Sequence, residues 1–434
     1  MAIYSLRTNR ASIMFNSVLK LLGATSVSQF LPILVLPFLT LYLSPEVFGY
    51  LGSFISLSLI VSVMITLRFE PSIVLCGSEC KTQAENIRTI TLFTTALTIL
   101  VVYIISFFYE IPVSVFICFI LTIFSVSGNK VVEQFLIAQE KYGEVSKNKL
   151  ILALSTVLAH IFITFSIGQG DFVLVYSYTF SLVVCSLLFL YKSNLSPIPS
   201  LNIASKNLLQ KHKRFCQYEM PSDFVFQLSQ NLPVVIIMTV FGAEIAGIYS
   251  IAEKMILLPV AMIGSTLGMV YYKEMSKEKT NVEQSKLVRF ILNCLFGIVI
   301  FGVCTYFFSI DFLVELVFED QYTNLSNYTD YLILYGVVLF VSSPLSGALW
   351  KAGKQNVNLG LSIITFFLRC VCFYIVSMHF DFYTSLLFLV VASILPRIML
   401  LCFCMKVLSL NFIEMFIYII LLLLTISSSY LVLL

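Results

Sequence analysis

The sequence predicts an all-α polytopic membrane protein built from two six-helix bundles, and three observations carry that prediction. Of the 434 residues 59% are hydrophobic and only 11% are charged, with a mean hydropathy of +0.97, whereas a soluble chain carries about 25% charged residues. Apolar windows of about 20 residues, the length that crosses a hydrocarbon core, recur twelve times. The lysines and arginines between them fall on alternate connections, as membrane insertion sorts them. A soluble enzyme is excluded. The net charge of +3 is distributed by topology and implies no nucleic-acid partner.

The windows fall near residues 21–42, 50–74, 90–109, 113–136, 150–168 and 172–191, and then near 222–241, 246–271, 289–308, 330–350, 357–378 and 384–404. Arg7 and Arg10 precede the first window in the manner of a signal peptide. Residues 21–42 are too long for a cleaved apolar region, so they read as the first span. The expected organisation is an N-terminal bundle over 1–191, a cytoplasmic linker over 192–219, a C-terminal bundle over 220–406, and a tail over 407–434. The tail's apolar run from 412 is long enough to be a thirteenth helix.

Charge fixes the expected sidedness. Twenty-two of the 26 Lys and Arg fall on the side of the N-terminus, including Lys81, Arg88, Lys130, Lys147 and Lys149 in early loops and Lys211, Lys213 and Arg214 in the linker. The remaining four, Arg68, Lys254, Arg369 and Arg397, fall within spans. Opposite loops carry acidic residues such as Glu46, Asp171, Glu244 and Asp381. The N-terminus and linker are therefore expected in the cytoplasm.

The eleven cysteines lie almost entirely in apolar runs. Cys370 with Cys372, and Cys402 with Cys404, are i,i+2 pairs that diverge on a helix. Cys76 and Cys80 have no histidine nearby to complete a zinc site. Packing is the expected role, and no metal or cofactor is implied.

A short internal repeat marks the first helix of each half: Ser28-Gln29-Phe30-Leu31-Pro32 and Ser229-Gln230-Asn231-Leu232-Pro233. Each is followed by Glu-(Val or Ile)-x-Gly, at Glu46–Gly49 and Glu244–Gly247. Two halves of six helices run in the same direction and are related by an axis along the membrane normal, an arrangement that places a substrate path between them. Pro32, Pro37 and Pro233 are expected to interrupt their helices, as discontinuous helices at such sites do. Asp223, Gln227, Gln230 and Asn231 share one helix face at i, i+4, i+7 and i+8. Gln29 takes the matching place in the first half. A stripe of this kind is costly against lipid, so it is expected to face the path.

Charges within spans point to the substrate. Arg369 lies near the middle of its span, where an arginine costs about 2.5–3.5 kcal/mol and needs a partner or water. Arg397 is nearer the cytoplasmic end, where snorkelling is the simpler explanation. Glu253 and Lys254 are adjacent and diverge; Arg68 and Glu70, taken as i,i+2 on the second span, are likewise expected to point apart. The excess of cations favours an anion, and arginine suits phosphate. A purely structural network of ion pairs is the competing reading.

Leu41-Tyr42-Leu43-Ser44-Pro45-Glu46-Val47-Phe48-Gly49, then Leu67-Arg68-Phe69-Glu70-Pro71-Ser72-Ile73-Val74-Leu75, and Gly247-Ile248-Tyr249-Ser250-Ile251-Ala252-Glu253-Lys254-Met255 together resemble Wzx-type O-antigen and polysaccharide flippases. These belong to the multidrug/oligosaccharidyl-lipid/polysaccharide (MOP) exporter superfamily. The topology covers the whole chain and the motifs about 30 residues. The resemblance implies a MATE-like 6+6 transporter of the bacterial inner membrane. Such a protein moves an undecaprenyl-diphosphate-linked oligosaccharide to the periplasmic leaflet by alternating access, with the lipid tail left in the bilayer. It also implies a polysaccharide polymerase and a chain-length regulator as partners, and makes Arg68 and Glu70 functional positions. The residues themselves add Gln29, Gln227, Gln230, Asn231, Lys254, Arg369 and Arg397 as substrate contacts. A thirteenth helix departs from the family's twelve.

Three other functions compete with this reading. A membrane polysaccharide polymerase or glycosyltransferase should carry basic residues in a large outer loop, and residues 309–329 contain no Lys, Arg or His. A cation-exporting drug transporter of the same superfamily favours acidic residues in its path. A peptidoglycan-precursor flippase is the third. No Gly-x4-Gly-Lys-(Ser/Thr) loop exists in the sequence, so transport is expected to be facilitated or ion-coupled rather than driven by a nucleotide.

Overall fold

The computed structural model describes residues 23–108, 112–168, 170–196, 215–277, 281–318, 320–346 and 355–407, and every element among them is helical. The elements are α1 (Gly23–Thr40), α2 (Pro45–Thr66), α3 (Cys80–Phe108), α4 (Val113–Ala138), α5 (Tyr142–Ile167), α6 (Val173–Ser193), α7 (Met220–Phe241), α8 (Ala243–Lys277), α9 (Asn281–Val317), α10 (Leu325–Ser342), α11 (Gln355–Phe366, continued to Ser377) and α12 (Phe382–Val407). Twelve segments among the described residues are long and apolar enough to cross a membrane. Phe93, Phe162, Phe301 and Phe308 project outward and exposed, as lipid-facing side chains do. The centre of the linker, the run from 408 onward and the expected thirteenth span lie outside the described residues.

The chain forms two compact units, Met1–Leu39 with Tyr50–Gln227, and Thr40–Gly49 with Leu228–Leu434. In the first, α6 packs against α4 and α5, and α3 against α4. Small polar side chains join these helices where hydrocarbon offers no hydrophobic driving force. Thr122 and Thr179 hydroxyls are 3.0 Å apart, as are those of Thr156 and Ser181, and His160 Nδ1 is 2.6 Å from Ser177 Oγ. An apolar core gathers Phe69, Ile73, Ile87, Val131, Phe135 and Phe189 around a 3-10 turn over Glu70–Glu79. In the second unit α10 is the most enclosed helix, packed on α8, α9 and α12.

Three expectations are corrected. The second span starts at Pro45 and stops at Thr66 instead of running from 50 to 74, because Leu67 and Arg68 take positive φ angles of 48° and 57°. In a continued α-helix Pro71 could not donate to the Leu67 carbonyl and its ring would clash with it, so an apolar sequence continues where the helix cannot. Arg68 therefore lies beyond the helix, and it turns back to meet Glu70 instead of pointing away from it. Lys130 is not in a loop but within α4, its ammonium donating to Ser62 Oγ at 3.0 Å. Pro32, Pro37 and Pro233 do not interrupt their helices, which are continuous through them. The irregular backbone occurs instead in π turns at Phe215–Glu219 and Phe367–Cys372.

Candidate functional site

Among the described residues, the expected site residues gather in two arginine-centred polar clusters, one in each unit. In the first, the left-handed turn after α2 aims Arg68 Nη1 at Glu70 Oε1, 3.1 Å away, and at Asp223 Oδ2 on α7, 3.5 Å away. Glu70 is only 2% exposed, whereas Arg68 is 33% exposed. Lys130 lies within the electrostatic reach of Glu70, Asp223 and Arg68. Two cations thus oppose two carboxylates at the end of α2. Glu70 Oε2 is buried with no hydrogen-bond partner.

The second cluster is built on α11. Arg369 sits in the π turn and is 2% exposed. A π turn carries one residue more than an α turn and commonly marks functional positions. Arg369 Nη1 donates to Gln230 Oε1 on α7 at 3.2 Å, and its guanidinium lies 5.5 Å from the centroid of the Tyr335 ring on α10. Arg397 of α12 lies within electrostatic reach of the Tyr335 hydroxyl, as Arg369 does, so two arginines act on one phenol. On α8, Tyr249 and Glu253 interact, and Glu253 lies within electrostatic reach of both Arg369 and Lys254. Arg369 Nε is buried and unpartnered. An unpaired polar atom in an apolar surrounding costs several kcal/mol, so Glu70 Oε2 and Arg369 Nε mark where each cluster has capacity for another polar group.

The expected residues thus separate. Arg68 and Glu70 meet in the first unit, and Gln230, Lys254, Arg369 and Arg397 meet in the second. Gln227 and Asn231 are half-buried on α7 and engaged with partners, and Gln29 is exposed on α1. Sequence reasoning omitted Lys130, Asp223, Glu253, Tyr249 and Tyr335 from the site. Asp223 was legible on the polar stripe of α7 and Glu253 as a charge within a span. Tyr335 carries no sequence signal, since only its neighbours give it a role. Among the described residues no group of His, Cys, Asp and Glu is arranged to hold a metal ion.

A family model described as "Polysaccharide biosynthesis protein" matches residues 38–327, about two thirds of the chain. The chain belongs to that family. The match bears out the resemblance to polysaccharide flippases that the motifs suggest. No curated protein sequence matches the chain. Solved structures share the fold. An inward-facing multidrug resistance MATE family transporter of the MOP superfamily aligns at 13% identity over 90% of this chain and 94% of that one, with a TM-score of 0.66. Its outward-facing counterpart aligns at 15% over 91% and 95%, with a TM-score of 0.52. A MOP superfamily transporter from Pyrococcus furiosus Vc1, for which a binding pocket of reverse polarity is described, aligns at 14% over 91% and 96%, with a TM-score of 0.54. At such identities the likeness establishes the fold alone. Family and fold together make this a multi-pass membrane protein of the polysaccharide-biosynthesis family with the fold of MATE transporters.

Proposed function

We propose that the protein flips undecaprenyl-diphosphate-linked oligosaccharide repeat units from the cytoplasmic to the periplasmic leaflet of a bacterial inner membrane, for O-antigen or related surface polysaccharide. The N-terminus lies in the cytoplasm, and the cycle is one of alternating access. The observation that supports this reading best is Arg369, a nearly inaccessible guanidinium in a π turn, held by Gln230 and Tyr335, with Arg397 on the same tyrosine. Two guanidiniums brought together in this way suit a diphosphate. Gln230, Asn231, Gln227 and Gln29 supply amides for sugar hydroxyls. Arg68 with Glu70 forms a second contact point, in which an arriving phosphate competes with the carboxylates for the guanidinium. A polymerase and a chain-length regulator act next on the product.

The test is deletion of the gene in its host, with surface polysaccharide read on silver-stained gels and the sidedness of lipid-linked repeat units measured in vesicles. Loss of long chains with repeat units accumulating on the cytoplasmic leaflet is the expected result. Failure of Arg369→Ala to restore the chains at matched membrane level assigns that residue to the path. Accumulation on the outer leaflet points to a polymerase and overturns the proposal, as does intact polysaccharide with raised sensitivity to toxic cations.

A further inference from the structure

The α4–α5 end of the first unit carries four polar side chains that the function above leaves unused. Asn129 and Glu133, one turn apart on α4, and Asn148 and Lys149, adjacent on α5, line an open crevice of about 350 Å³, mouth included. Lys149 Nζ lies 2.9 Å from Glu133 Oε1, and both side chains are about a third exposed. Val132, Leu152 and Phe189 supply an apolar floor, and Val132 and Phe189 join it to the core of the unit.

Asn129 says most about an occupant. Its Oδ1 and Nδ2 are both buried, and neither has a hydrogen-bond partner, so exchanging the two atoms would not satisfy the amide. A buried polar group without a partner costs the folded protein, and an occupant that offers a donor and an acceptor together removes that cost. Charge narrows the choice. An anion would meet Glu133 and a cation would meet Lys149, so the crevice suits a molecule without net charge. Hydroxyl groups donate and accept at once, which matches two amides, a carboxylate and an ammonium, and an aliphatic C–H face matches the floor. A sugar ring has both. Leu154, Leu158, Phe162 and Phe165 form the exposed apolar stripe of α5, where lipid covers it, and Lys149 lies about half a turn from Leu158. The crevice therefore opens away from the stripe, where a lipid headgroup with its tails in the bilayer does not reach.

We propose that this crevice is a sugar-binding site that takes one uncharged pyranose residue of the oligosaccharide. It rests on the flippase reading for the source of the sugar, and it is separate from Gln230 and Asn231 in the second unit. Helix alternation puts it on the side of the N-terminus, where that reading has the substrate arrive. Glu133 also lies within electrostatic reach of Lys130, which belongs to the Arg68 cluster, so the site adjoins that cluster through one carboxylate.

The probe is the free oligosaccharide released by mild acid from the host's own lipid-linked repeat units. Full-length protein is held in lipid nanodiscs free of sugar detergents, and saturation transfer from protein to sugar protons reads binding. Wild type is expected to show transfer to the protons of one residue. Asn129→Leu, of similar size, should bind about tenfold more weakly while unfolding at the same or a higher temperature, because it also removes an unpartnered amide. Lys147→Ala, exposed and about half a turn from Lys149 on α5, keeps the wild-type affinity. An Asn129→Leu protein that is less stable and binds normally makes the amide structural and overturns the site. If Asn129→Leu does not fold, Asn148→Ala decides by the same measurement, and unchanged affinity there overturns the site too. Stronger transfer to phosphorylethanolamine than to the oligosaccharide shows a zwitterion to be the ligand and overturns it as well. Wild-type protein that flips lipid-linked repeat units yet shows no transfer rejects the site and leaves the flippase reading intact. Binding that Asn129→Leu weakens, in a protein that flips no sugar-lipid, keeps the site and removes that reading.

Discussion

Arg68 combines a costly backbone conformation with a shared ion pair, and substitutions separate the two. Its φ of 57° costs a non-glycine residue roughly 1–2 kcal/mol. Its guanidinium bonds Glu70 at 3.1 Å and reaches Asp223 at 3.5 Å. Removing one partner of a buried pair costs about 3–5 kcal/mol; because Arg68 is a third exposed, solvent screening lowers this to about 2–3 kcal/mol. Arg68→Ala loses the pair and keeps the strain, so destabilisation of about 2–3 kcal/mol is expected. Arg68→Gly loses the pair but relieves the strain. Its greater unfolded-state freedom offsets about 0.5–1 kcal/mol of that relief, leaving it about 0.5–1 kcal/mol more stable than Arg68→Ala. Adding Glu70→Gln to Arg68→Ala removes the stranded carboxylate and should recover about half of the loss. The assay is reversible thermal unfolding in detergent, with complementation scored in parallel. An Arg68→Ala protein as stable as Arg68→Gly, or no recovery on adding Glu70→Gln, would refute the reasoning. A stable Arg68→Gly protein that still complements would show the charge to be structural.

Arg369→Lys is expected to lose transport despite keeping the charge, because an ammonium cannot both bond Gln230 and spread over the Tyr335 ring; complementation at matched expression checks it. Gln230→Ala should cost about 1.5–3 kcal/mol, the worth of a hydrogen bond to a charged group, read as a fall in unfolding temperature. Thr122→Val or Thr179→Val alone should destabilise by about 1–3 kcal/mol by stranding the other hydroxyl, while the double variant returns close to wild type. Asp381 accepts hydrogen bonds from the Thr384 side chain at 2.7 Å and backbone at 3.3 Å, and these hold its carboxyl below the usual range. Its stabilisation of the start of α12 is therefore complete above the unfolded value of about 3.9 and lost as pH falls through the lower folded value. A pH series of unfolding temperatures should show a deficit in Asp381→Ala at pH 7 that disappears in acid.

The sequence by itself determined the class of molecule, the number of apolar spans and the internal repeat, because hydropathy, span length and charge sidedness are local properties that the bilayer reads without tertiary detail. It also contained the break after α2, in Pro71, although the apolar run across it concealed the break. Only the tertiary structure decided which charges meet. Arg68 reaches Asp223 from 155 positions away, and Arg369 finds Tyr335 and Gln230 on two other helices. The direction of a side chain depends on backbone irregularities, a left-handed pair at Leu67 and Arg68 and a π turn at Phe367–Cys372, that a fixed 100° helical period cannot anticipate. Gly49 and Gly247 make the same point from the repeat: the spacing of each copy was legible, but that the copies touch follows from helix packing, where the absence of a side chain matters only once another backbone lies against it.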